Sequence, residues 1–408
     1  MTATLLLLLV TAVPSTAEPF TIYVGELGPN AALLAWGKKE GSGNRIGRDA
    51  HTYGSATVRI GPRVVQTEKA WARVEGLEPD TEYPWSLDIG GVPAGSGHLR
   101  TWAAQASRLA FLVIGDYGDA GKAQYDLARV MADLVTKRAA GPDPIRFVLT
   151  TGDNIYGKGV GFLRFGTGSS DADWWPPFFR PYAAILQRIP FYPTLGNHDG
   201  NETEDRADLP AYLDNFFFPG GEPRRYYRFQ YAGLADFFAL DTTSNTAAGP
   251  PQPAFLADGP QSAWLREQLP LAKAPWRIAY FHHSIYDAGP EHNGEHNETR
   301  LKHWLQLFSD NGVQLTFQGH EHNFQASRVN ARSYGIRHLV TGSGGALGNG
   351  DIRTKMDAAN VEAWSPHHQF LLVEIRDGHI FVTPIGIHPI VPVDSAGRPV
   401  SAVFSIPQ

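Results

Sequence analysis

Cysteine is absent from all 408 residues. That excludes a disulfide framework, a thiolate nucleophile and sulfur ligation of a soft metal. Stability must then come from core size, or from core size with metals. An excess of positive charge is missing too. Lys and Arg number 35 against 41 Asp and Glu, a formal charge of −6 with pI ≈ 6.2. Such a chain has no basic field for nucleic acid or an anionic membrane. A phosphate-bearing substrate must be drawn in locally, by a metal or by a few side chains. A run of membrane-spanning length is lacking near the start. Leu5 to Val10 is followed by Val13-Pro14-Ser15-Thr16-Ala17, so polar residues arrive long before about 20 apolar ones accumulate. The stretch has the length of a signal-peptide core, with small residues at Ser15 and Ala17, although the basic segment that precedes such a core is missing. The reading is a leader over residues 1–17, cleavage after Ala17, and a secreted or periplasmic protein. No nucleic acid partner and no stable membrane insertion are expected; the oligomeric state is left open.

What the chain does have is apolar mass and punctuation. Hydrophobic residues make up 42% and aromatics 12%, ample for packed cores, while 43 Gly and 30 Pro fit many short strands better than a helical bundle. Residues 18–103 read as a small all-β unit. Short alternating runs recur at Thr21-Ile22-Tyr23-Val24, Ala32-Leu33-Leu34-Ala35-Trp36 and Ala56-Thr57-Val58-Arg59-Ile60, separated by turn residues. The turn Leu77-Glu78-Pro79-Asp80-Thr81-Glu82-Tyr83 resembles a corner of fibronectin type III sandwiches, in which the Tyr hydroxyl ties back to the backbone. Trp36, Trp71 and Trp85 are expected in the sandwich core.

After Thr101 the pattern changes. Leu109 to Ile114 reads as a buried strand ending in Gly115-Asp116-Tyr117-Gly118. A helix is predicted over Lys122 to Lys137, with Tyr125, Leu127, Val130, Met131 and Leu134 on one face. A second strand, Ile145 to Thr151, stops at Gly152-Asp153-Asn154-Ile155-Tyr156. Strand, helix, strand implies a parallel crossover that brings Asp116 and Asp153 out side by side. Beyond a long loop from Gly157 to Pro177, a helix is predicted near Phe178 to Gln187. Strands follow that end in Gly196-Asn197-His198-Asp199, in His282-His283 and in Gly319-His320-Glu321-His322. Five strand ends thus carry metal-type ligands, and they are expected on one sheet, at the crevice where α/β sheets bind ligands. Any one alone reads as a turn or a hydrogen-bonded bystander. Together they point to metal.

The set resembles the metallophosphoesterase motifs in the version carried by purple acid phosphatases, over residues about 106 to 390. The pattern is Gly-Asp-x-Gly, Gly-Asp-x-x-Tyr, Gly-Asn-His followed by Asp or Glu, a His block and Gly-His-x-His, and the tyrosine is its specific mark. The N-terminal unit resembles the extra domain of the larger, plant-like members. The resemblance implies an α/β fold, an α/β/β/α sandwich over residues 106–408, preceded by the all-β unit. It implies ferric iron held by Asp116, Asp153, Tyr156 and His322. A divalent ion (zinc, iron or manganese) would be held by Asp153, Asn197, His282 and His320, with Asp153 bridging. The donor chemistry agrees. A phenol of pKa about 10 binds as phenolate only beside a strong Lewis acid, while imidazole and amide oxygen suit a divalent ion. The implied function is hydrolysis of phosphate monoesters at acid pH by a metal-bound hydroxide. The alternatives are a phosphodiesterase or nucleotidase on the same core, and an inactive adhesion or binding module. His198 would point at the phosphate and His292 would assist the leaving oxygen, with His296 competing for that role. The family block runs His-x-Pro-x-Tyr or His-x-Pro-x-Trp. Tyr286 sits at the matching distance from His282, but Ser284 replaces the proline, so His282 is taken as ligand with His283 behind it. Asp199, Glu321, His303, His338, His367 and His368 read as structural. Asn201-Glu202-Thr203 and Asn297-Glu298-Thr299 are formal glycosylation acceptors.

Overall fold

The computed structural model describes residues 20–38, 53–156, 158–160, 163–165, 171–200, 210–221, 224–245, 252–292, 295 and 297–408. The expected leader and His296 lie outside them. Among the described residues no helix is long and apolar enough to cross a membrane.

Alternating apolar residues between Thr21 and Arg100 fold into two antiparallel sheets. One orders Thr21–Leu27, Ala31–Gly37 and Trp71–Glu75; the other orders Arg63–Thr67, Ala56–Ile60, Glu82–Ile89 and Val92–Arg100. Trp36, Val58, Ile60, Val74, Trp85 and Leu87 are buried between them. The Tyr83 hydroxyl accepts a hydrogen bond from the Glu78 backbone N–H at 2.9 Å, which fixes the corner. Trp71 departs from expectation. Its strand is an edge, so the ring is only half-buried and meets Phe217 of the following unit edge-on at 6.0 Å.

The remaining chain builds two larger sheets face to face. The first orders Phe191–Pro193, Ile145–Thr150, Leu109–Ile114, Gln369–Arg376, His379–Gly386 and Phe404–Pro407. The second orders Tyr227–Tyr231, Ala235–Ala239, Trp276–Tyr280, Leu315–Gln318, Arg337–Thr341, Phe324–Ser327 and Val361–Ser365. Side-chain alternation along a strand divides the second sheet's residues between two cores. Phe237, Ile278, Tyr280 and Phe317 face the first sheet, where Phe111 meets Phe237 at 5.4 Å and 90°. Phe238, Ala279 and Phe281 face outward and are covered by Leu265, Trp304, Leu305 and Phe308 of the helices Pro260–Gln268 and Lys302–Asp310. On the outer face of the first sheet, Leu127, Ala128, Met131 and Val135 of helix Lys122–Arg138 join the main core. The layers therefore run helix, sheet, sheet, helix.

Two expectations are corrected. The five ligand-bearing strand ends belong to two sheets, not one: Asp116, Asp153 and Asn197 follow strands of the first, and the histidines follow strands of the second. Strand-length apolar runs carry no mark of which sheet they join, because the ligand-bearing strands of both sheets are buried on both faces. The buried face of the long helix is also turned, to include Gln124 in place of Tyr125. Gln124 tolerates burial because its amide donates to the Pro177 carbonyl and accepts the Ala120 N–H. Near Phe178 the predicted helix begins as a wider π-helical turn, Trp175–Phe179, before Arg180–Leu186. Pro176 and Pro177 supply no N–H to a regular ladder there.

Candidate metal centre

Parallel neighbours Leu109–Ile114 and Ile145–Thr150 deliver Asp116 and Asp153 together, and parallel neighbours Trp276–Tyr280 and Leu315–Gln318 do the same for His282 and His320. The turns that follow are strained. Asp116, Asp153 and His320 all have positive φ, at 54°, 49° and 71°. Non-glycine residues there cost on the order of 1–3 kcal/mol each and persist where the surroundings fix them. The surroundings do so here: both Asp116 carboxylate oxygens lie 3.0 Å from the His320 N–H, a bond between the two sheets. Gly152, at φ +91°, brings its backbone so close that a Cβ would stand 2.6 Å from His282 Nδ1 and 2.7 Å from the Gly196 nitrogen.

Seven side chains converge in two groups. In the first, Asn197 Oδ1 lies 2.8 Å from His282 Nε2 and 3.0 Å from His320 Nδ1, with 3.1 Å between the two nitrogens. His282 Nδ1 faces the Thr151 carbonyl at 2.8 Å, and His320 Nε2 faces Glu295 Oε1 at 3.0 Å. Those outer partners take the ring protons, so three lone pairs meet with no proton among them. A cation at their centre satisfies all three at once. In the second group the Tyr156 hydroxyl lies 3.3 Å from Asp116 Oδ1 and 3.2 Å from His322 Nε2. His322 Nδ1 is held by Glu291 Oε2 at 3.0 Å, which again leaves Nε2 as the inward atom. Asp153 stands between the groups, with Oδ1 3.5 Å from His282 Nε2 and its charge acting on Tyr156 and Asp116.

The electrostatics point the same way. Burial first, and then the charge of Asp153, pushes Asp116 well above the usual carboxylate range. Burial raises Asp153 and lifts Tyr156 well above a normal phenol, the two carboxylates adding to the latter. Desolvation drives His282 well below the ordinary imidazole value and His322 down to about 3, each with neighbouring histidines adding to it. Left to itself, the protein disfavours the charged form of each of these groups. A multivalent cation reverses that for the carboxylates and the phenol, and binds the imidazoles in the neutral form they already prefer. The donor set fits two metal ions.

Around this centre, the His198 N–H donates to Asp153 Oδ1 at 3.0 Å and its part-exposed ring lies 4.4 Å from that of Tyr156. The His292 ring stacks on His320 at 3.7 Å, with Nδ1 3.1 Å from Glu295 Oε1. Burial pulls the His292 pKa down, but the hydrogen bond and charge of Glu295, with Glu321 and Glu291, outweigh it and raise the group. His283 lies beside the first group, clustered with Glu295 and His320, its ring 4.4 Å from that of His320 and its Nδ1 2.8 Å from Thr242 Oγ1. Asp199 accepts the Gly196, Asn154 and Ile155 N–H groups and thereby ties two ligand loops together. Glu321 accepts the N–H groups of Glu291 and His292. Sequence reasoning passed over Glu291 and Glu295; two carboxylates four residues apart, flanking His292, were the available signal.

The calcineurin-like phosphoesterase profile matches residues 108–324. Purple acid phosphatase 3 of Arabidopsis thaliana is 27% identical over 289 residues, covering 67% of this chain and 73% of that protein. Among solved structures, the purple acid phosphatase from yellow lupin (Lupinus luteus) seeds superposes with a TM-score of 0.67 at 15% identity, over 96% of this chain and 74% of that one. The structure of PhoD superposes with the same TM-score and identity, over 96% and 94%. At such identities the two structures speak for the fold.

Proposed function

Since the chain belongs to the calcineurin-like phosphoesterase family, as a purple acid phosphatase-like metallophosphoesterase, we propose that it hydrolyses phosphate monoesters at acid pH. The observation that carries this reading is the double convergence of donors, Asn197, His282 and His320 on one side and Asp116, Tyr156 and His322 on the other, with Asp153 between. Hard phenolate and carboxylate donors in one group favour ferric iron, and imidazoles with an amide oxygen favour a divalent ion such as zinc, iron or manganese. When bound, such a pair supplies an activated water and neutralises charge on the phosphoryl oxygens.

The chain's own side chains do the rest. His198, held by its backbone bond to Asp153, presents its ring to the phosphoryl oxygens. His292 directs Nδ1 at Glu295, so Nε2 is the atom that gives a proton to the leaving oxygen. Residues 18–103 are read as a fibronectin type III-like sandwich; the sheets of three and four strands and the Tyr83 bond support that. Export with removal of residues 1–17, and a small phosphorylated substrate, belong to the same proposal.

The test is metal analysis with a rate comparison on nitrophenyl phosphate and bis-nitrophenyl phosphate. Two metals per chain and a faster monoester are expected, and Asp153→Asn should lose both metals and activity together. A faster diester would replace the monoesterase reading by a diesterase on the same core. Protein with neither metals nor activity would overturn the proposal.

A further inference from the structure

The two histidines that close the metal centre, His320 and His322, come from one turn, and both outward nitrogens are met by the same loop. Glu291 Oε2 stands 3.0 Å from His322 Nδ1, and Glu295 Oε1 stands 3.0 Å from His320 Nε2. The spacing is matched: two histidines two residues apart in one segment face two carboxylates four residues apart in another. Each carboxylate serves a different group of donors. Glu291 stands behind the Tyr156 group and Glu295 behind the Asn197 group.

The loop is itself pinned. Glu321, between the two histidines, accepts the N–H groups of Glu291 at 3.2 Å and His292 at 2.9 Å, so histidine turn and carboxylate loop grip each other from both sides. At the far end, the Asn297 amide is buried and donates to the Ser284 carbonyl at 3.1 Å and to Glu295 Oε2 at 3.2 Å. That amide belongs to a formal glycosylation sequence, yet it is spent on holding Glu295. The Gly348 N–H donates to the His322 carbonyl at 2.8 Å, and a Cβ on Gly348 would lie 3.5 Å from Glu291 Oε1, which bounds the other end.

A carboxylate on the outer nitrogen of a metal-binding imidazole fixes its tautomer and orientation and raises its basicity; losing such a partner typically costs about 10–100-fold in metal affinity. We propose that Glu291 and Glu295 are positioning residues that separately set metal retention, Glu291 at the Tyr156–His322 site and Glu295 at the Asn197–His282–His320 site. The inference rests on the two-metal reading above. It goes beyond that reading by giving one loop independent control of two ions.

The experiment uses the full chain loaded with ferric iron and zinc as probes, then dialysed against graded chelator, with both elements counted and the visible tyrosinate band followed. Glu291→Gln is expected to lose iron and the band at chelator concentrations roughly ten- to a hundredfold lower than the parent, with zinc retained. Glu295→Gln is expected to lose zinc over the same range and keep the band. Simultaneous loss of both metals in each variant would reduce the carboxylates to general supports of the fold, and unchanged retention would remove their role; either overturns the inference. Wild-type protein that never takes up two metals would instead overturn the reading of the site itself. Far-ultraviolet circular dichroism and the melting temperature, recorded on the same samples, separate metal loss from unfolding.

Discussion

Tyr156 and His338 show how burial decides what a single side chain can do. The Tyr156 hydroxyl sits between Asp116 and His322 in surroundings that hold its proton firmly, so it ionises only against a strong Lewis acid. In iron-loaded protein, Tyr156→Phe should abolish the visible absorption band; a band that survives would take the tyrosine out of the metal's donor set. His338 lies away from the metal centre, accepting from Thr316 Oγ1 at 2.7 Å, and burial holds it down to about 3 from an ordinary 6.5. Between those values the unfolded chain binds a proton that the folded chain does not. The contribution of neutral burial is therefore complete above pH 6.5 and is lost as pH falls toward 3, by about 1.4 kcal/mol per pH unit. His338→Gln should cost stability at pH 7 yet flatten the decline between pH 6 and 4. Denaturant titrations at stepped pH measure both, and parallel slopes for the two proteins would contradict the assignment.

Among the elements, the strand-to-loop turns carry the chemistry, and in one of them Gly152 is both closely packed and held at positive φ. An alanine there would need a positive φ and would drive its Cβ against His282 Nδ1 and the Gly196 nitrogen. Gly152→Ala should lower the melting temperature by several degrees and leave the protein with fewer than two metals per chain. Elemental analysis beside a thermal melt checks this; a fully loaded variant would mean that the turn relaxes. The same turns show what was readable in advance. Strand-length runs that stop at Gly-Asp, Gly-Asn, Gly-His or His-His marked Asp116, Asp153, Asn197, His282, His320 and His322 as candidates without coordinates. The strand Phe324–Ser327 was missed because it is half polar. Gln325 survives burial there by accepting the Ala288 N–H and donating to Gly289 and Asn323, a network no periodicity reveals.

For the molecule as a whole, the N-terminal sheets and the metal-bearing sheets share one hydrophobic core. Trp102 packs against Phe147, Tyr192, Phe229 and Tyr231, with ring centroids between 5.2 and 6.2 Å. Polar ties cross the same seam. Arg146 bonds Asp80 at 2.6 Å and the Thr101 carbonyl at 3.1 Å, Trp85 Nε1 donates to the Gln187 carbonyl at 3.1 Å, and the Tyr23 hydroxyl donates to the Asn215 carbonyl at 3.0 Å. A continuous core unfolds cooperatively, so calorimetry should record a single transition. Trp102→Ala should cost about 3–5 kcal/mol and lower that one transition as a unit. Two resolved transitions would show that the units melt independently.

By itself the sequence determined which donor residues stand at strand ends and their order along the chain, because donor chemistry and strand-end position are local properties. It also determined the split between an all-β beginning and an α/β remainder, since alternation and helical periodicity are local as well. Only the tertiary structure decided that these donors hang from two sheets, that His282 Nε2 meets Asn197 Oδ1 and His320 Nδ1, and that Glu291 and Glu295 back the two histidines. Each of those depends on which strands pair and which loops meet across the crevice. Such contacts span up to about 200 residues of chain, as between Asp116 and His320, and no spacing within one segment records them.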